Sequence, residues 1–142
     1  MESQMSPYRL LVLVTFAVVL GCQGKPSPKA LSVSAGDLWS DYSYRDVTGA
    51  DAVYRGKRLV VRGAMKKHEV DKSPQLVILG TITQPDSMVV CRMSESARAA
   101  LGKLEKNQVL AIEGDCIGLT NDLGADKPRA TLDNCRVVSD RL

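Results

Sequence analysis

Residues 87–117 read SMVVCRMSESARAALGKLEKNQVLAIEGDCI and place one helical segment between two strand-like segments. Residues 87–93 and 109–117 are short runs rich in β-branched residues and are bounded by turn residues, which is typical of strands. Between them, residues 94–106 begin with Ser94 in the N-cap position and end with lysines, as a helix does. One face of this predicted helix holds its apolar residues, Ala97, Leu101 and Leu104.

The same strand signal recurs along the folded part of the chain. Five runs in all are predicted as strands, at residues 57–65, 75–83, 87–93, 109–117 and 130–138. Ahead of them, residues 36–54 space their apolar side chains by three or four, which predicts helix with a break near Thr48-Gly49. The predicted order is therefore helix, three strands, helix, two strands.

A helix between the third and fourth strands of a small barrel is the arrangement of the OB-fold, a five-stranded Greek-key barrel. We therefore predict an all-β fold with accessory helices, consisting of that barrel and a helical N-terminal lead-in. Gly63, Gly80 and Gly114 lie inside predicted strands, where glycine marks bulges and bends that help a small barrel to close. A plain β-meander or an SH3-like barrel fits the same pattern, since strand order cannot be read from one sequence.

Several motifs extend this prediction. They are a lead-in rich in aromatic residues and alanine, Tyr-x-Gly-Lys before strand one, Lys-Leu-x-Lys at the helix end, Gly-x-Cys in strand four and Asn-Cys in strand five. The stretches that contain them are LWSDYSYRDVTGADAVYRGKRLVVRG (38–63), VVCRM (89–93), LGKLEKNQVLAIEGDCIG (101–118) and ATLDNCRVV (130–138). Together they resemble the tRNA-anti-like OB-fold family of bacterial lipoproteins and secreted proteins. The resemblance spans residues 37–138 and departs at Met93, where the family has an aromatic residue. It implies the fold and no established activity, because kinship to tRNA-binding OB domains is a relation of fold.

The N-terminal run LLVLVTFAVVL (10–20) is too short to cross a bilayer as a helix, which needs about 20 apolar residues, but it suits the apolar core of a signal peptide. Val19-Leu20-Gly21-Cys22 at its end resembles the bacterial lipobox. On that resemblance the chain is cleaved before Cys22, which receives a diacylglycerol thioether and an N-acyl chain such as palmitate. The alternatives are an uncleaved anchor or a plain secretory signal, and translation starting at Met5 instead of Met1 would shorten the signal peptide.

These features predict three regions. Residues 1–21 are a lipoprotein signal peptide, residues 22–35 are a flexible tether rich in proline, serine and lysine, and residues 36–142 are the OB-fold domain. The mature protein is then lipid-anchored in the cell envelope of a bacterium. Gln23 follows the cysteine where an aspartate would favour inner-membrane retention, so we predict the periplasmic side of the outer membrane.

Three cysteines remain after lipidation of Cys22. Cys116 and Cys135 fall near the ends of strands four and five, which are neighbours in an OB barrel, and an exported protein can keep a disulfide there. We predict that pair, which would stabilise the fold by about 3 kcal/mol in the chain-entropy model. Two alternatives stay open. Both residues can be buried thiols, or Cys91 can pair with Cys135, because strand three also borders strand five.

The sequence contains no recognisable catalytic or metal centre. His68 is the only histidine among the 142 residues, and no HExxH or CxxC motif occurs. Asn121, Asp122 and Asp126 do not have the spacing of a calcium loop. We therefore predict a protein that is not an enzyme, with no metal and no cofactor.

Binding is then the expected activity, and the usual ligand face of an OB-fold is formed by strands two and three with two flanking loops. We predict those loops at residues 66–73 and 120–127, with six candidate ligand-facing residues: Lys66, Lys67, His68, Asn121, Asp122 and Asp126. Their mixed charges favour an envelope protein, a glycan or a small ligand. Nucleic acid is the alternative partner, and it is disfavoured because the aromatic residues Trp39, Tyr42, Tyr44 and Tyr54 precede the barrel and the net charge is only +3.

Overall fold

The computed structural model describes residues 24–124 and 127–138. Its elements are, in chain order, β1 (Leu31–Ser34), α1 (Ala35–Tyr44), α2 (Val47–Tyr54), β2 (Arg58–Glu69), β3 (Leu76–Gly80), β4 (Val89–Met93), a 3₁₀ turn (Glu95–Ala97), α3 (Arg98–Leu101), β5 (Val109–Thr120) and β6 (Arg129–Val138).

Strands β2 to β6 form the predicted five-stranded barrel. Neighbouring strands follow the order β2-β3-β4-β6-β5, and β5 pairs back onto residues 58–64 of β2 to close it. The β4–β6 pair is parallel, whereas the other pairs within the barrel are antiparallel. A plain meander has no such parallel pair, and the 3₁₀ turn with α3 bridges the third and fourth barrel strands as in an OB-fold. The predicted fold class is therefore confirmed.

Helix α1 contributes directly to the core of the barrel. Its buried residues are Ala35, Leu38, Trp39 and Tyr42, and they belong to the same apolar cluster as the inward side chains of the strands. The helix contacts β1, β2, β3, β4 and β6, and a position across one opening of the barrel accounts for these contacts. The apolar surface buried there is a main source of stability.

The limits of the two lead-in helices follow from their caps. The Ser34 hydroxyl oxygen accepts a hydrogen bond from the Asp37 amide over 3.0 Å and thereby starts α1. Arg45 is extended, and the Asp46 carboxylate accepts from the Thr48 amide over 3.2 Å to start α2. The predicted break near Thr48-Gly49 is therefore wrong by about three residues, because Asp46 is the stronger N-cap.

The helix predicted over residues 94–106 is shorter than expected. It consists of the 3₁₀ turn and the single turn of α3, which together span residues 95–101. Its apolar face is as predicted, since Ala97 and Leu101 are buried and Leu104 packs against the core.

Composition predicts a flexible tether up to residue 35, but residues 24–34 run along the barrel. Four of them form β1, which is parallel to β2 from Leu31 opposite Leu59 to Ser34 opposite Arg62. Further upstream, the Ser27 amide donates to Glu113 Oε1 over 2.9 Å. These bonds satisfy backbone groups that a proline- and serine-rich segment would otherwise expose to water.

Residues 1–23, including the predicted signal peptide and the predicted lipidation site Cys22, lie outside the described residues. Within residues 24–124 and 127–138, no helix has the length and hydropathy needed to cross a bilayer.

The predicted disulfide between Cys116 and Cys135 is not formed, and both residues are buried free thiols, as is Cys91. Strand register explains the difference, because β-bulges in the β5–β6 pair place Cys116 opposite Leu132. The Cys116 sulfur lies 3.7 Å from the Tyr42 hydroxyl. Cys135 instead lies beside Cys91 of the parallel strand β4, and burial together with this neighbouring thiol raises the pKa of the Cys135 thiol.

We expect refolding of the purified protein with oxidised glutathione to link Cys91 to Cys135 and to leave Cys116 as a thiol, because Cys135 lies beside Cys91 whereas Cys116 is opposite Leu132. Non-reducing peptide mapping measures this directly, since tryptic cleavage after Arg92 and Arg129 separates the three cysteines. Cys116→Ser should leave the cross-link unchanged. A peptide joining Cys116 to Cys135 would contradict the observed register.

Candidate functional site

A cleft of about 760 Å³ lies between the C-terminal half of α1 and the hairpin that joins β5 to β6. The lining residues of α1 are Trp39, Tyr42, Ser43 and Tyr44, those of the hairpin are Leu119, Gly124, Lys127, Pro128, Arg129 and Ala130, and Asp86 joins them from the β3–β4 loop. We call this cavity the α1–hairpin cleft. Its volume is within the range of about 300–1,000 Å³ that is usual for small-molecule sites.

One wall of the α1–hairpin cleft is aromatic. Trp39 and Tyr44 pack edge to face, with ring centroids 5.4 Å apart and an angle of 86° between the rings. Trp39 is only 8% exposed, whereas Tyr44 is 76% exposed. The buried ring therefore supports an exposed one, which is available for stacking.

Two other tyrosines hold α1 in place through hydrogen bonds. The Tyr42 hydroxyl donates to Asp51 Oδ1 over 2.8 Å, and the Tyr54 hydroxyl donates to Asp41 Oδ2 over 2.7 Å. Burial and the bond to Asp51 raise the pKa of Tyr42, and burial with the bond to Asp41 raises the pKa of Tyr54 to about 12. Both phenols therefore stay protonated donors that tie α1 to α2 and so fix the position of the aromatic wall.

Two residues that line the cleft each have a buried nitrogen donor without a protein partner. Trp39 Nε1 and Arg129 Nε are both buried without a hydrogen bond. Buried polar groups in native proteins are nearly always paired, so each such donor requires an explanation. Lys127 is an exposed cation on the same wall as Arg129. The cleft therefore places positive charge beside an aromatic surface.

The family assignment agrees with this architecture. A family model described as tRNA_anti-like matches residues 9–128, which is most of the chain. The chain belongs to the tRNA_anti-like family. A search of curated protein sequences finds no match to this tRNA_anti-like protein.

Solved structures resemble this tRNA_anti-like protein to different degrees. One is a candidate nucleic acid-binding lipoprotein from Klebsiella pneumoniae subsp. pneumoniae MGH 78578, which matches with a TM-score of 0.60 and 18% sequence identity, over 81% of this chain and 100% of its own. Another is a candidate aspartyl-tRNA synthetase from Leishmania major Friedlin, with a TM-score of 0.48 and 9% identity, over 85% of this chain and 23% of its own. At this identity the first likeness shows the OB-fold alone.

Asp122 connects the two loops, residues 66–73 and 120–127, that the sequence predicts to flank a ligand face. The Asp122 carboxylate accepts from Nε and Nη2 of Arg92 over 2.6 and 2.7 Å, and its backbone carbonyl accepts from Lys72 Nζ over 3.1 Å. The bond to Arg92 lowers the pKa of Asp122 despite partial burial. Asp122 is therefore engaged in an ion pair inside the tRNA_anti-like domain.

Four of the eight residues predicted as the first loop, 66–69, belong to a strand, because β2 continues to Glu69. Lys66 Nζ donates to the carbonyls of Gln84 and Pro85, over 2.8 Å in each case, and burial lowers its pKa. Lys67 pairs with Glu69 over 2.7 Å. His68 is half-buried in β2, and its Nε2 has no hydrogen-bond partner among the described residues.

The remaining parts of the predicted ligand face expose few side chains. Asn121 is exposed, and Asp126 lies outside the described residues. Every residue of β3 is buried, and in β4 only Arg92 is partly exposed. The described part of the chain contains no group of three or more His, Cys, Asp or Glu side chains arranged to hold a metal ion.

The α1–hairpin cleft could not be predicted from the sequence, because Trp39 and Tyr44 precede the barrel and the hairpin lies some 80 residues after them in the chain. The available signal was the strength of the aromatic cluster in so short a lead-in. In the structure Tyr44 remains 76% exposed beside the buried Trp39, an exposure that packing of a core helix does not require.

Proposed function

We propose that this tRNA_anti-like protein is a lipid-anchored OB-fold module of the bacterial cell envelope that binds a ligand and catalyses no reaction. The observation that supports binding is the α1–hairpin cleft, which combines an aromatic wall with cationic side chains. Its described lining contains neither histidine nor cysteine. Convergent polar groups in a concave apolar site favour recognition of a ligand.

The motif ending in Cys22 and the description of the Klebsiella neighbour as a lipoprotein support lipid anchoring. The position of residues 24–34 along the barrel determines which side of the barrel a lipidated Cys22 would hold near the membrane. Gly24 bridges to Val138 of β6, and the Lys25 carbonyl accepts from Arg136 Nη2 over 2.8 Å. Because two residues span at most about 7 Å, a lipidated Cys22 would hold this side of the barrel close to the membrane surface.

Cys22→Ser is expected to abolish incorporation of radiolabelled palmitate and to release the protein from membranes, because the acylated cysteine is the proposed anchor. Labelling followed by membrane fractionation measures both effects, and Cys116→Ser is the matched control that should label normally. Gln23→Asp should keep the label and shift the protein from outer to inner membrane. Recovery of the unaltered protein as a soluble species that retains Met1 would contradict the anchor.

Nucleic acid is the second candidate ligand, since Trp39 and Tyr44 share one cleft with Lys127 and Arg129. Aromatic platforms beside a basic groove are the features that OB-folds use for single strands. The Klebsiella neighbour is described as a candidate nucleic acid-binding protein. Tight binding of oligothymidylate that weakens steeply with salt would favour this candidate over a small envelope ligand.

A further inference from the structure

We propose that residues 24–31, which we call the strap, form a membrane-contacting surface that rests on anionic phospholipid headgroups and holds the domain in one orientation. This inference rests on the proposed lipid anchor at Cys22. It goes beyond that anchor by assigning a lipid-contacting surface to the folded domain, so that the protein touches the membrane through the strap as well as through its acyl chains.

The strap has a fixed position on the outer face of the barrel. Its first residue bridges to β6, and its last residue pairs with β2. Between these ends, the Lys25 carbonyl accepts from Arg136 Nη2 over 2.8 Å. The Ser27 amide donates to Glu113 Oε1 over 2.9 Å. The exposed side chains of the strap therefore belong to a surface of defined shape and are not part of a free tether.

The strap begins next to the proposed anchor. Gly24 is two residues from Cys22, and two residues span at most about 7 Å. The Debye length at physiological ionic strength is about 8 Å, so charges at this distance still interact with charged headgroups. When Cys22 is acylated, the first residues of the strap therefore lie within the electrostatic range of the membrane surface.

The strap carries positive charge that no described carboxylate neutralises. Lys25 and Lys29 are exposed, and neither forms an ion pair within residues 24–124 and 127–138. Beneath the strap, Glu113 is fully buried and is paired with Arg58 and Arg136. The buried carboxylate is thus already compensated, and the two lysines remain available to anionic headgroups.

Two further carboxylates on this side of the barrel do not cancel the lysines. Asp115 is paired with Arg58 over 3.1 Å. Asp133 is exposed opposite Asp115 on β6, five residues before the end of β6 to which the strap bridges. Five residues of a strand span about 16 Å, which is two Debye lengths. The start of the strap is therefore screened from Asp133.

Apolar side chains next to the lysines complete the surface. Leu31 is 43% exposed, and Pro28 is exposed beside Lys29. Exposed apolar groups among lysines are typical of segments that lie in the membrane interface. Each lysine near an anionic surface favours contact roughly fivefold. Because the acyl chains already hold the protein on the membrane, these modest contributions are sufficient to select one orientation.

Acetylation of lysines in the lipidated protein measures the contact. The protein is reconstituted into phosphatidylcholine vesicles with or without phosphatidylglycerol, acetylated briefly and mapped by mass spectrometry. We expect phosphatidylglycerol to slow the modification of Lys25 and Lys29 at least about threefold, and high salt to remove this protection. Lys103 and Lys106, which are exposed between α3 and β5, are internal controls whose modification rates should not change.

A dye on the strap side of the barrel tests which charges are responsible. An environment-sensitive dye is attached to Ser32→Cys, an exposed position of β1, while the three other cysteines of the described chain are buried. Phosphatidylglycerol should shift its emission to the blue, and Lys25→Glu combined with Lys29→Glu should abolish the shift. Lys103→Glu combined with Lys106→Glu changes the net charge equally and should preserve it.

Equal modification of Lys25 and Lys29 in both kinds of vesicle would overturn the inference. Loss of the dye shift in the charge-matched control would also overturn it, since net charge alone would then explain the contact. Palmitate labelling at Cys22 separates this inference from the proposed anchor. Labelled, vesicle-bound protein without the changes due to phosphatidylglycerol contradicts the strap surface alone, whereas absence of the label contradicts both.

Discussion

Glu113→Gln is expected to lower the free energy of unfolding by about 3 kcal/mol at pH 7, because a fully buried carboxylate loses its ion pairs. Glu113 lies in β5 with 0% of its side chain exposed. Its Oε2 accepts from Nε and Nη2 of Arg136 over 2.9 and 2.7 Å, and its Oε1 lies 3.3 Å from Arg58 Nε. Both arginines are partly exposed and remain hydrated in the variant, which keeps the loss near the lower end of the range for buried pairs.

The effect of Glu113→Gln depends on pH. Burial raises the pKa of the Glu113 carboxyl, but hydrogen bonds from Ser27 and the ion pair with Arg136 outweigh it and lower the pKa from 4.5 to about 2. A folded-state pKa below the unfolded one stabilises the fold fully above pH 4.5 and progressively less as the pH falls towards 2. The difference between the wild-type protein and the variant should therefore shrink towards zero over that interval.

Urea unfolding followed by circular dichroism at pH 7, 4.5 and 2.5 measures this difference. Glu95→Gln is the matched control, since its side chain is 84% exposed, and it should change stability by less than about 0.5 kcal/mol. Tryptic cleavage after Lys29 should accelerate in Glu113→Gln, because the amide of Ser27 is held by the replaced carboxylate. A loss below about 1 kcal/mol, or one that is constant with pH, would show that the ion pairs contribute little.

Gly114→Ala is expected to destabilise the barrel by about 2–3 kcal/mol, because a methyl group there overpacks a rigid part of the core. The added Cβ would clash with Cys135 Sγ and would lie 3.0 Å from the Asp133 carbonyl oxygen and 3.1 Å from Leu132 Cβ. Cys135 and Leu132 are both completely buried. Neither can move aside without disturbing the pairing of β5 with β6.

A double-mutant cycle with Cys135→Ala isolates the closest of these contacts. The double variant should be more stable than the sum of the single losses by about 1 kcal/mol or more, since the clashing sulfur is gone. Gly49→Ala is the opposite control, because its Cβ would meet nothing within 4 Å in α2, and it should stabilise the protein by up to about 1 kcal/mol. Strict additivity of the two core substitutions would contradict the proposed clash.

Local chemistry made most of the barrel predictable. The β-branched runs, their turn residues and the Ser94 cap depend on neighbouring residues, and the helix between β4 and β5 identified the OB-fold among small barrels. Gly114 was predicted to mark a bend, and the register of β5 against β6 shifts there. The ends of elements were less predictable, as the longer β2 and the shorter α3 show, because the last residues of each are decided by tertiary partners.

The sequence by itself determined the order of strands and helices, the lipobox-like motif at Cys22 and the absence of a multi-histidine centre, since each depends on residue identity at short spacing. The tertiary structure alone decided the rest. It docked residues 24–34 on the barrel, placed Cys135 beside Cys91 and brought Trp39 to the same cleft as Arg129. The physical reason is that strand register and helix docking are set by burial and by bulges, which join residues about 30 to 110 positions apart and leave no local pattern.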